Sequence, residues 1–224
     1  MKVAIPMASN EKYLLQKTDS NRKLEFVQRL FRDRTTSIVA QKPETPWERA
    51  ERSRVEQSTL RLIADQIGFR LKSFPFQVAD QGQEHQVSVV KGGRIFKATF
   101  PGKFGLHLVF CKKEPKIFPA TPSEYLKRIL LQNQLFYDDI RLEGFYFSKK
   151  ALSIITSQPY YFEKTPDREM ISKYFKSKKF TPFSHDPETS FENKRYIIWD
   201  AHENNVHVLP NRTLMPFDVN ITKK

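Results

Sequence analysis

The sequence predicts an α+β fold, because helical and strand-like patterns follow one another along the chain as separate blocks. Two segments begin with a Thr-Pro pair and carry a glutamate three residues after the threonine, at Thr45 and at Thr121, which is typical of helix N-termini. Residues 84–90 and 94–100 are strand candidates joined by the tight-turn signal Lys91-Gly92-Gly93.

The patterns predict the order helices, sheet, helix, sheet, helix, hairpin. In the first half they predict a helix over 21–33, a helix over 46–67 that ends at Gly68, the strand pair within 84–100, a strand over 106–110 and a proline-rich loop over 115–122. In the second half they predict a helix over 122–137, a strand pair within 142–163, a helix over 166–177, a polar loop over 181–194, a strand over 196–200 and a hairpin over 206–218 that turns at 210–212. We expect residues 69–163 to form an antiparallel sheet with one helix packed on it.

The composition indicates one domain, or one domain with a short extension, in 224 residues. Hydrophobic residues make up 39% and include 19 Phe, enough to build a core at about 25 cal/mol per Å² of buried apolar surface, which argues against wholesale disorder. No apolar run reaches the roughly 20 residues of a membrane helix, and no secretory signal is predicted. The single cysteine, Cys111, excludes a disulfide framework and fits a reducing compartment.

The net charge of +13 favours acidic partners: nucleic acid, nucleotide phosphates or an acidic protein. Between Lys91 and Lys116 the sequence has seven basic residues and one acid, and a second basic cluster spans 173–179. Two solvated faces would give the same pattern, and both interpretations stay open.

Three polar residues near the end of the sequence have a spacing that suits phosphoryl transfer. Asp200 follows an apolar strand, Asn205 comes five residues later, and Asp218 comes thirteen residues after Asn205, beyond the predicted hairpin. In kinase-like enzymes one aspartate orients the attacking group, while an asparagine and a second aspartate hold Mg²⁺ on the nucleotide phosphates. We expect the three side chains to converge on one cleft, with His202 bracing the loop.

Several ordered motifs resemble the kinase-like domain of phage and mobile-element "polyvalent proteins", within the protein kinase and aminoglycoside phosphotransferase superfamily. The resemblance covers roughly residues 55–220. Its motifs are Gln-Glu-His-Gln-Val (83–87), Lys97 within Ile-Phe-Lys, Ala-Thr-Pro-Ser-Glu-Tyr-Leu-Lys-Arg (120–128), Gln-Asn-Gln-Leu-Phe (132–136), Ile-Thr-Ser-Gln-Pro-Tyr (155–160) and Ile-Trp-Asp-Ala-His-Glu-Asn-Asn (198–205).

The resemblance implies a kinase-like fold: an antiparallel N-lobe sheet with one helix and a minimal, truncated C-lobe, preceded by N-terminal helices. The implied divisions are a basic helical extension over 1–54 and a kinase-like domain over 55–224, with the N-lobe at about 69–157, the hinge at about 157–162 and the reduced C-lobe at 163–224.

The resemblance also implies ATP and Mg²⁺ as cofactors, and a role for each matching residue. Lys97 would hold nucleotide phosphates and pair with Glu124, while Gln158 and Tyr160 would lie in the hinge that reads adenine. Asp200 would be the catalytic base, and Asn205 and Asp218 the metal ligands. Without its ion, Asp218 would be a liability, so its removal is expected to leave the fold intact and even to stabilise the ligand-free chain.

Departures from a working kinase leave the function open. The region that matches a phosphate-binding loop, 80–85, has the single glycine Gly82, and Val219-Asn220 follow Asp218 in place of Phe-Gly. We therefore expect a phosphotransferase, or a nucleotidyltransferase on the same scaffold, in the cytoplasm of a bacterial or phage-infected cell. The alternatives are an inactive kinase-like module that docks nucleic acid or an acidic protein, and a host-defence or counter-defence factor acting by occlusion.

Overall fold

The computed structural model describes residues 20–35, 45–89, 91–111, 114–149, 151–161 and 164–224. The other residues, including most of the N-terminal 44, lie outside the described part of the chain. Among the described helices, none is both long and apolar enough to cross a membrane.

The described residues contain four α-helices, all of which the sequence predicted. They are α1 (Ser20–Thr35), α2 (Pro46–Ile67), α3 (Pro122–Phe136) and α4 (Arg168–Ser177). The capping box at the start of α2 is present, since Thr45 Oγ1 accepts from the Glu48 N–H and the Glu48 carboxylate accepts from the Thr45 N–H. Gly68 ends α2 in the left-handed conformation with φ 72°, where glycine carries no steric penalty.

The strands form one larger sheet, one smaller sheet and two separate ribbons. In chain order they are β1 (Arg70–Leu71), β2 (Val78–Gln81), β3 (His85–Ser88), β4 (Arg94–Thr99), β5 (Leu106–Cys111), β6 (Glu114–Pro119), β7 (Arg141–Ser148), β8 (Ala151–Pro159), β9 (Thr181–Phe183), β10 (Asp186–Glu192), β11 (Tyr196–Trp199), β12 (Val206–Val208), β13 (Leu214–Pro216) and β14 (Asn220–Lys223).

The larger sheet has the order β1-β7-β8-β4-β3-β2. Its pairs are antiparallel apart from β1 with β7, which run parallel. The predicted strand pairs over 84–100 and 142–163 are both present, with Val87 opposite Lys97 and Phe145 opposite Ile154. The sheet therefore matches the antiparallel expectation apart from two strands: β1 pairs in parallel, and the predicted strand at 106–110, β5, lies outside the larger sheet.

The proline-rich segment 115–122 is not the loop that the sequence predicted. Most of it forms β6, which pairs with β5 as a two-stranded ribbon outside the larger sheet. Prolines are tolerated in β6 because it is an edge strand, where a missing N–H breaks few ladder bonds. The segment also lacks the alternation of apolar and polar residues that is typical of a half-buried strand, since both faces of β6 are largely exposed.

The prediction of a polar loop over 181–194 is also wrong. This segment forms β9 and β10, which extend the smaller sheet in the order β14-β11-β10-β9. Its few apolar residues, Phe183 and Phe191, are buried, while polar residues cover the other face. The strand β14 was not predicted at all, because only Ile221 of its four residues is strongly apolar.

Helix α3 packs against two hydrophobic cores. Leu126 and Ile129 join α1, α2 and the larger sheet in the first core. Leu131 and Phe136 join α4 and the smaller sheet in the second, where the rings of Phe175 and Phe191 stack at 4.4 Å. Helix α3 therefore contributes residues to both cores.

Candidate active site

Asp200 and Asp218 are placed at one edge of the smaller sheet by the pairing of β11 with β14. The two strands are antiparallel, and Trp199 lies directly opposite Asn220. Asp200 directly follows β11, and Asp218 lies two residues before the start of β14, so both residues lie at neighbouring strand ends. Asp200 has a left-handed backbone with φ 64°, a conformation that aspartate tolerates better than most residues.

The predicted hairpin brings Asn205 beside Asp218. β12 and β13 pair antiparallel, with Val206 opposite Pro216. At the base of the hairpin the Phe217 N–H donates to the Asn205 carbonyl oxygen at 3.1 Å. The expectation that the hairpin folds Asn205 back toward Asp218 is confirmed in the backbone.

A compact hydrogen-bond network fixes the loop between Asp200 and Asn205. Asn205 Nδ2 donates to the Asp200 carbonyl oxygen at 2.8 Å, so Oδ1 is the atom that this side chain can offer to a cation. His202 Nδ1 accepts from the Asn204 N–H at 3.2 Å, and Asn205 Nδ2 lies 3.2 Å from His202 Nε2. That nitrogen lies 3.3 Å from Asp200 Oδ1, so His202 braces the loop as expected.

Lys97 enters the same site from β4. Its side chain is 8% exposed, and Nζ lies 3.7 Å from Asp218 Oδ1, whose side chain is 41% exposed. Nζ also lies 5.5 Å from the centre of the Phe217 ring. Asp218 is thus the carboxylate that balances a buried lysine.

The surroundings shift the pKa values of the two aspartates in opposite directions. Burial alone would raise the pKa of Asp218, but the charges of Lys97, then His85 and Arg128, lower it below the usual value. Burial and the nearby charge of Asp218 raise the pKa of Asp200, against the opposing effect of His202. Because Asp218 neutralises Lys97, removing it should destabilise the ligand-free chain, which reverses the expectation drawn from the sequence.

The structure gives Glu124 different partners from the predicted one. Its carboxylate binds Arg49 Nη2 and Arg52 Nη2, both at 2.7 Å, and caps the Thr121 N–H at 2.9 Å. Glu124 lies in the first turn of α3, and that turn is covered by α2. No ion pair between Glu124 and Lys97 exists among the described residues.

Helix α3 presents other side chains to Lys97. Tyr125, Arg128 and Gln132 line a small cavity of about 30 Å³ together with Lys97 and Asp218. Arg128 binds the Glu84 carboxylate and Asn220 Oδ1. An arginine therefore occupies the helix face where the sequence predicted an acid.

Glu84 and His85 are site residues to which the sequence assigned no role. Besides the bond from Glu84 to Arg128, His85 Nε2 lies 2.8 Å from the Tyr125 hydroxyl. Burial lowers the pKa of His85 to about 4, so the ring is neutral at pH 7. Both residues belong to the motif 83–87, but only their contacts with α3 show what they do.

Gln158 and Tyr160 lie at the C-terminal end of β8. Gln158 is buried and pairs with Ile95 in the larger sheet. The Tyr160 N–H donates to the Gly93 carbonyl oxygen at 2.9 Å, so this backbone donor is already used within the protein. Both residues line a cleft of about 280 Å³ that Phe217 also lines.

A second, larger cleft of about 1280 Å³ contains four of the predicted site residues. Lys97, Asp200, Asn205 and Asp218 all line it. The structure thus brings four of the seven predicted site residues together, places Gln158 and Tyr160 in the neighbouring cleft, and places Glu124 beneath α2.

A family model described as a serine/threonine/tyrosine kinase found in polyvalent proteins matches residues 79–222. The chain belongs to this family. The match covers well over half of the sequence and includes every predicted site residue from Lys97 to Asp218. It confirms the resemblance found in the sequence motifs. No curated protein and no solved structure matches the chain.

Asn205 and Asp218 are the predicted site residues that could hold a metal ion. Asn205 Oδ1 and the partly exposed Asp218 carboxylate are hard oxygen donors of the kind that Mg²⁺ prefers. Mg²⁺ is commonly held by one or two protein oxygens plus substrate phosphates. The described residues contain no cluster of three or more His, Cys, Asp or Glu suited to a metal ion.

Proposed function

We propose that the protein is a phosphotransferase that uses ATP and Mg²⁺. The observation that carries this proposal is the convergence of Lys97, Asp200, Asn205 and Asp218 on one cleft. Membership of a kinase family supports the same reaction class. In this proposal the larger sheet with α3 serves as the N-lobe, and the segment after β8 serves as a reduced C-lobe.

The nucleotide base lies in the smaller cleft, between the end of β8 and Phe217. Gln158 and Tyr160 line that cleft with Ile95 and His207, whose ring stacks on Phe217 at 4.0 Å. Because the Tyr160 N–H is bonded to Gly93, base recognition relies on the other polar groups and on aromatic contact. From this cleft the phosphates reach Lys97.

Lys97 and the metal ligands act on the phosphate charge. Lys97, which pairs with Asp218 in the ligand-free protein, would pair with the phosphates of a bound nucleotide, and Asp218 and Asn205 would hold the Mg²⁺. Bound Mg²⁺ supplies neutralisation of charge on the transferred phosphoryl group. Asn205 would hold the metal ion through Oδ1, because its Nδ2 already donates to the Asp200 carbonyl oxygen.

Asp200 orients the acceptor hydroxyl and takes its proton. The raised pKa of its carboxyl favours proton uptake compared with an ordinary surface aspartate. His202 keeps the carboxylate in place through Nε2. The left-handed backbone at Asp200 projects the residue from the end of β11 rather than continuing the strand.

The test is a thermal shift with Mg-ATP followed by a γ-phosphate release assay. Binding at 100 times Kd adds about 2.7 kcal/mol of stability. We expect a shift that needs both Mg²⁺ and ATP, and turnover that falls in Asp200→Asn but not in the matched surface variant Asp65→Asn. No shift and no turnover in the parent protein would overturn the proposal.

A second function is favoured by the surroundings of Lys97. Glu124 is held by Arg49 and Arg52, and the turn at 82–84 contains one glycine, so two usual supports of the nucleotide phosphates are missing. An inactive module would instead bind nucleic acid or an acidic protein through the basic stretch 91–116, in a bacterial cytoplasm. Its binding would weaken with salt, by about 0.9 in log K per log unit of salt for each phosphate contacted on duplex DNA.

A further inference from the structure

A buried carboxylate outside the proposed chemistry lies in the turn that follows α3. Asp138 is 0% exposed. Burial raises the pKa of its carboxyl to about 6, against hydrogen bonds from Tyr161 and Gln132 that lower it, so the group is mainly ionised at pH 7. Because a buried charge is costly unless donors compensate it, the two donors of Asp138 show what this residue holds in place.

One oxygen of this carboxylate binds the wall of the smaller cleft. The Tyr161 hydroxyl donates to Asp138 Oδ1 at 2.7 Å. Tyr161 directly follows Tyr160, and both line the smaller cleft together with Gln158. Oδ1 therefore fixes the segment against which, in the function proposed above, the nucleotide base lies.

The other oxygen is linked to the segment that carries Asp218. Gln132 Nε2 donates to Asp138 Oδ2 at 3.2 Å and also to the Pro216 carbonyl oxygen. Pro216 ends β13 and lies two residues before Asp218. Because both acceptors take their hydrogen bonds from the same nitrogen, the orientation of the Gln132 amide is fixed. A single side chain thus connects the buried carboxylate to the backbone beside the proposed metal ligand.

The turn that carries Asp138 is itself fixed from two sides. On the side of α3, Asn133 Nδ2 donates to the Ile140 carbonyl oxygen and the Ile140 N–H donates to Asn133 Oδ1, both at 2.8 Å. On the side of the larger sheet, Arg94 Nη1 donates to Asp139 Oδ2 at 2.8 Å. The turn therefore gives both hydrogen bonds of the carboxylate a rigid base.

We propose that Asp138 is a positioning residue that fixes the wall of the smaller cleft and the metal-ligand segment 216–218 relative to each other. This inference rests on the phosphotransferase function proposed above, in which one nucleotide spans both places. The base and the phosphates belong to the same molecule, so a shift of either place moves the phosphates relative to the metal ion. Misplacement by about 1 Å can cost about 10²-fold in rate. Asp138 itself contacts neither the nucleotide nor the metal ion in this proposal.

The experiment measures turnover of Mg-ATP in separate titrations of ATP and of Mg²⁺, at a temperature below the thermal midpoint of every variant. Tyr161→Phe removes the first hydrogen bond and keeps the ring. Gln132→Met removes the second hydrogen bond and keeps a side chain of similar length. Asp138→Asn leaves one acceptor oxygen for two donors.

Glu56→Gln is the matched control. Glu56 is another buried carboxylate, whose pKa is raised by burial, and it accepts from the Ser123 N–H at 2.9 Å. It lies on α2 and lines neither cleft. We expect this substitution to lower the thermal midpoint without changing the KM for ATP or the Mg²⁺ dependence, which is the result of a purely structural role.

We expect the two hydrogen bonds to have separate effects on the kinetics. Tyr161→Phe should raise the KM for ATP about three- to tenfold with little change in kcat, because it loosens only the wall of the smaller cleft. Gln132→Met should raise the Mg²⁺ concentration for half-maximal rate by a similar factor. Asp138→Asn should show both changes, and the two single-bond variants decide the test if Asp138→Asn does not fold.

Two results would overturn the positioning proposal alone. In the first, the parent turns over Mg-ATP and the variants change only the thermal midpoint, as the control does. In the second, Tyr161→Phe and Gln132→Met each change both constants to the same extent. If the parent neither binds nor turns over Mg-ATP, the phosphotransferase proposal has failed, and this one with it.

Discussion

The loop 200–218 and the surroundings of Lys97 contribute to the same cleft, but contacts of different range hold them together. The loop is closed by two pairings within the last third of the chain, β11 with β14 and β12 with β13. Lys97 is surrounded by groups from β3, β8, α3 and the segment 217–219 that precedes β14, and the orientation of α3 depends in turn on α2. We call the loop 200–218 the local half of the site and the surroundings of Lys97 the long-range half. The local half matches the residue spacing of a known motif, whereas the long-range half departs from it.

The difference shows which part of a site tolerates change. A loop fixed by its own hairpin and its own hydrogen bonds keeps its geometry when the rest of the domain changes. A lysine–glutamate pair between a strand and a helix depends on every element that packs on that helix. Here α2 supplies Arg49 and Arg52 to Glu124, and Lys97 has Asp218 as its counter-charge instead.

The largest expected effect is that of Asp218→Ala, which removes a residue shared by both halves. We expect Mg-ATP turnover to be lost, and the thermal midpoint of the ligand-free protein to fall because Lys97 keeps a buried charge without its partner. The pKa of Asp218 is lowered in the folded state, so its contribution is present above its unfolded pKa and is lost as the pH falls through the folded pKa.

The measurement is differential scanning calorimetry of the parent and Asp218→Ala between pH 7 and pH 3. The two midpoints should approach each other toward the acid end. Asp186→Ala, another aspartate in the second half of the chain, shows what the loss of a carboxylate does away from Lys97. A ligand-free Asp218→Ala protein more stable than its parent at pH 7 would contradict the pairing with Lys97.

Asp200→Asn tests the local half alone. Asparagine keeps the size of the side chain and tolerates the left-handed backbone, but it cannot take a proton. We expect Mg-ATP binding to be kept and turnover to fall by about 10²–10⁴-fold, the usual contribution of a general base. Calorimetric binding and phosphate release on the same sample separate the two effects, and an unchanged turnover number would remove Asp200 from the chemistry.

Glu124→Gln tests the long-range half. If Glu124 serves α2 rather than Lys97, the substitution should lower the free energy of unfolding by about 2–3 kcal/mol through weakened bonds to Arg49 and Arg52. The KM for ATP should stay unchanged. Glu51→Gln, at an exposed position of α2, is the control with little expected effect. A raised KM for ATP with unchanged stability would restore the pairing of Glu124 with Lys97.

The smallest expected effect concerns His85. Its folded pKa of about 4 lies below the ordinary value of 6.5, so the unfolded chain binds the proton first as the pH falls. Stability should therefore decline between about pH 6.5 and pH 4, and decline less in His85→Gln. Urea unfolding at pH 7, 6 and 5 measures the free energy of unfolding at each pH. An equal change of this free energy with pH in both proteins would show that the buried His85 ring does not cause the decline.

The sequence predicted correctly those elements whose structure depends on residues close together in the chain. The helix over 46–67 was predicted from its capping box and its terminal glycine, and the hairpin over 206–218 from its turn. β6 and the β9–β10 pair were missed because an edge or one-sided strand carries little apolar alternation. Missing β14 mattered most, since that strand is what places Asp218 beside Asp200.

The placement of Asp200, Asn205 and Asp218 on one cleft was predictable, because their spacing follows from one loop and one hairpin. The roles assigned to them stay predictions. The role of Glu124 could not be predicted, because its partners Arg49 and Arg52 are more than 70 residues away in sequence and outside the motif. Glu84 and His85 are visible in a motif, but their bonds to α3 arise only from tertiary packing.

The position of α3 in both hydrophobic cores has a consequence for how the protein unfolds. Leu126 belongs to the core under the larger sheet, and Leu131, five residues later, belongs to the core of the smaller one. Unfolding of either core exposes one face of α3, the helix on which the other core also packs. The two cores are therefore not independent cooperative units. The described domain should lose its structure in a single calorimetric transition, and the clefts should vanish together with it.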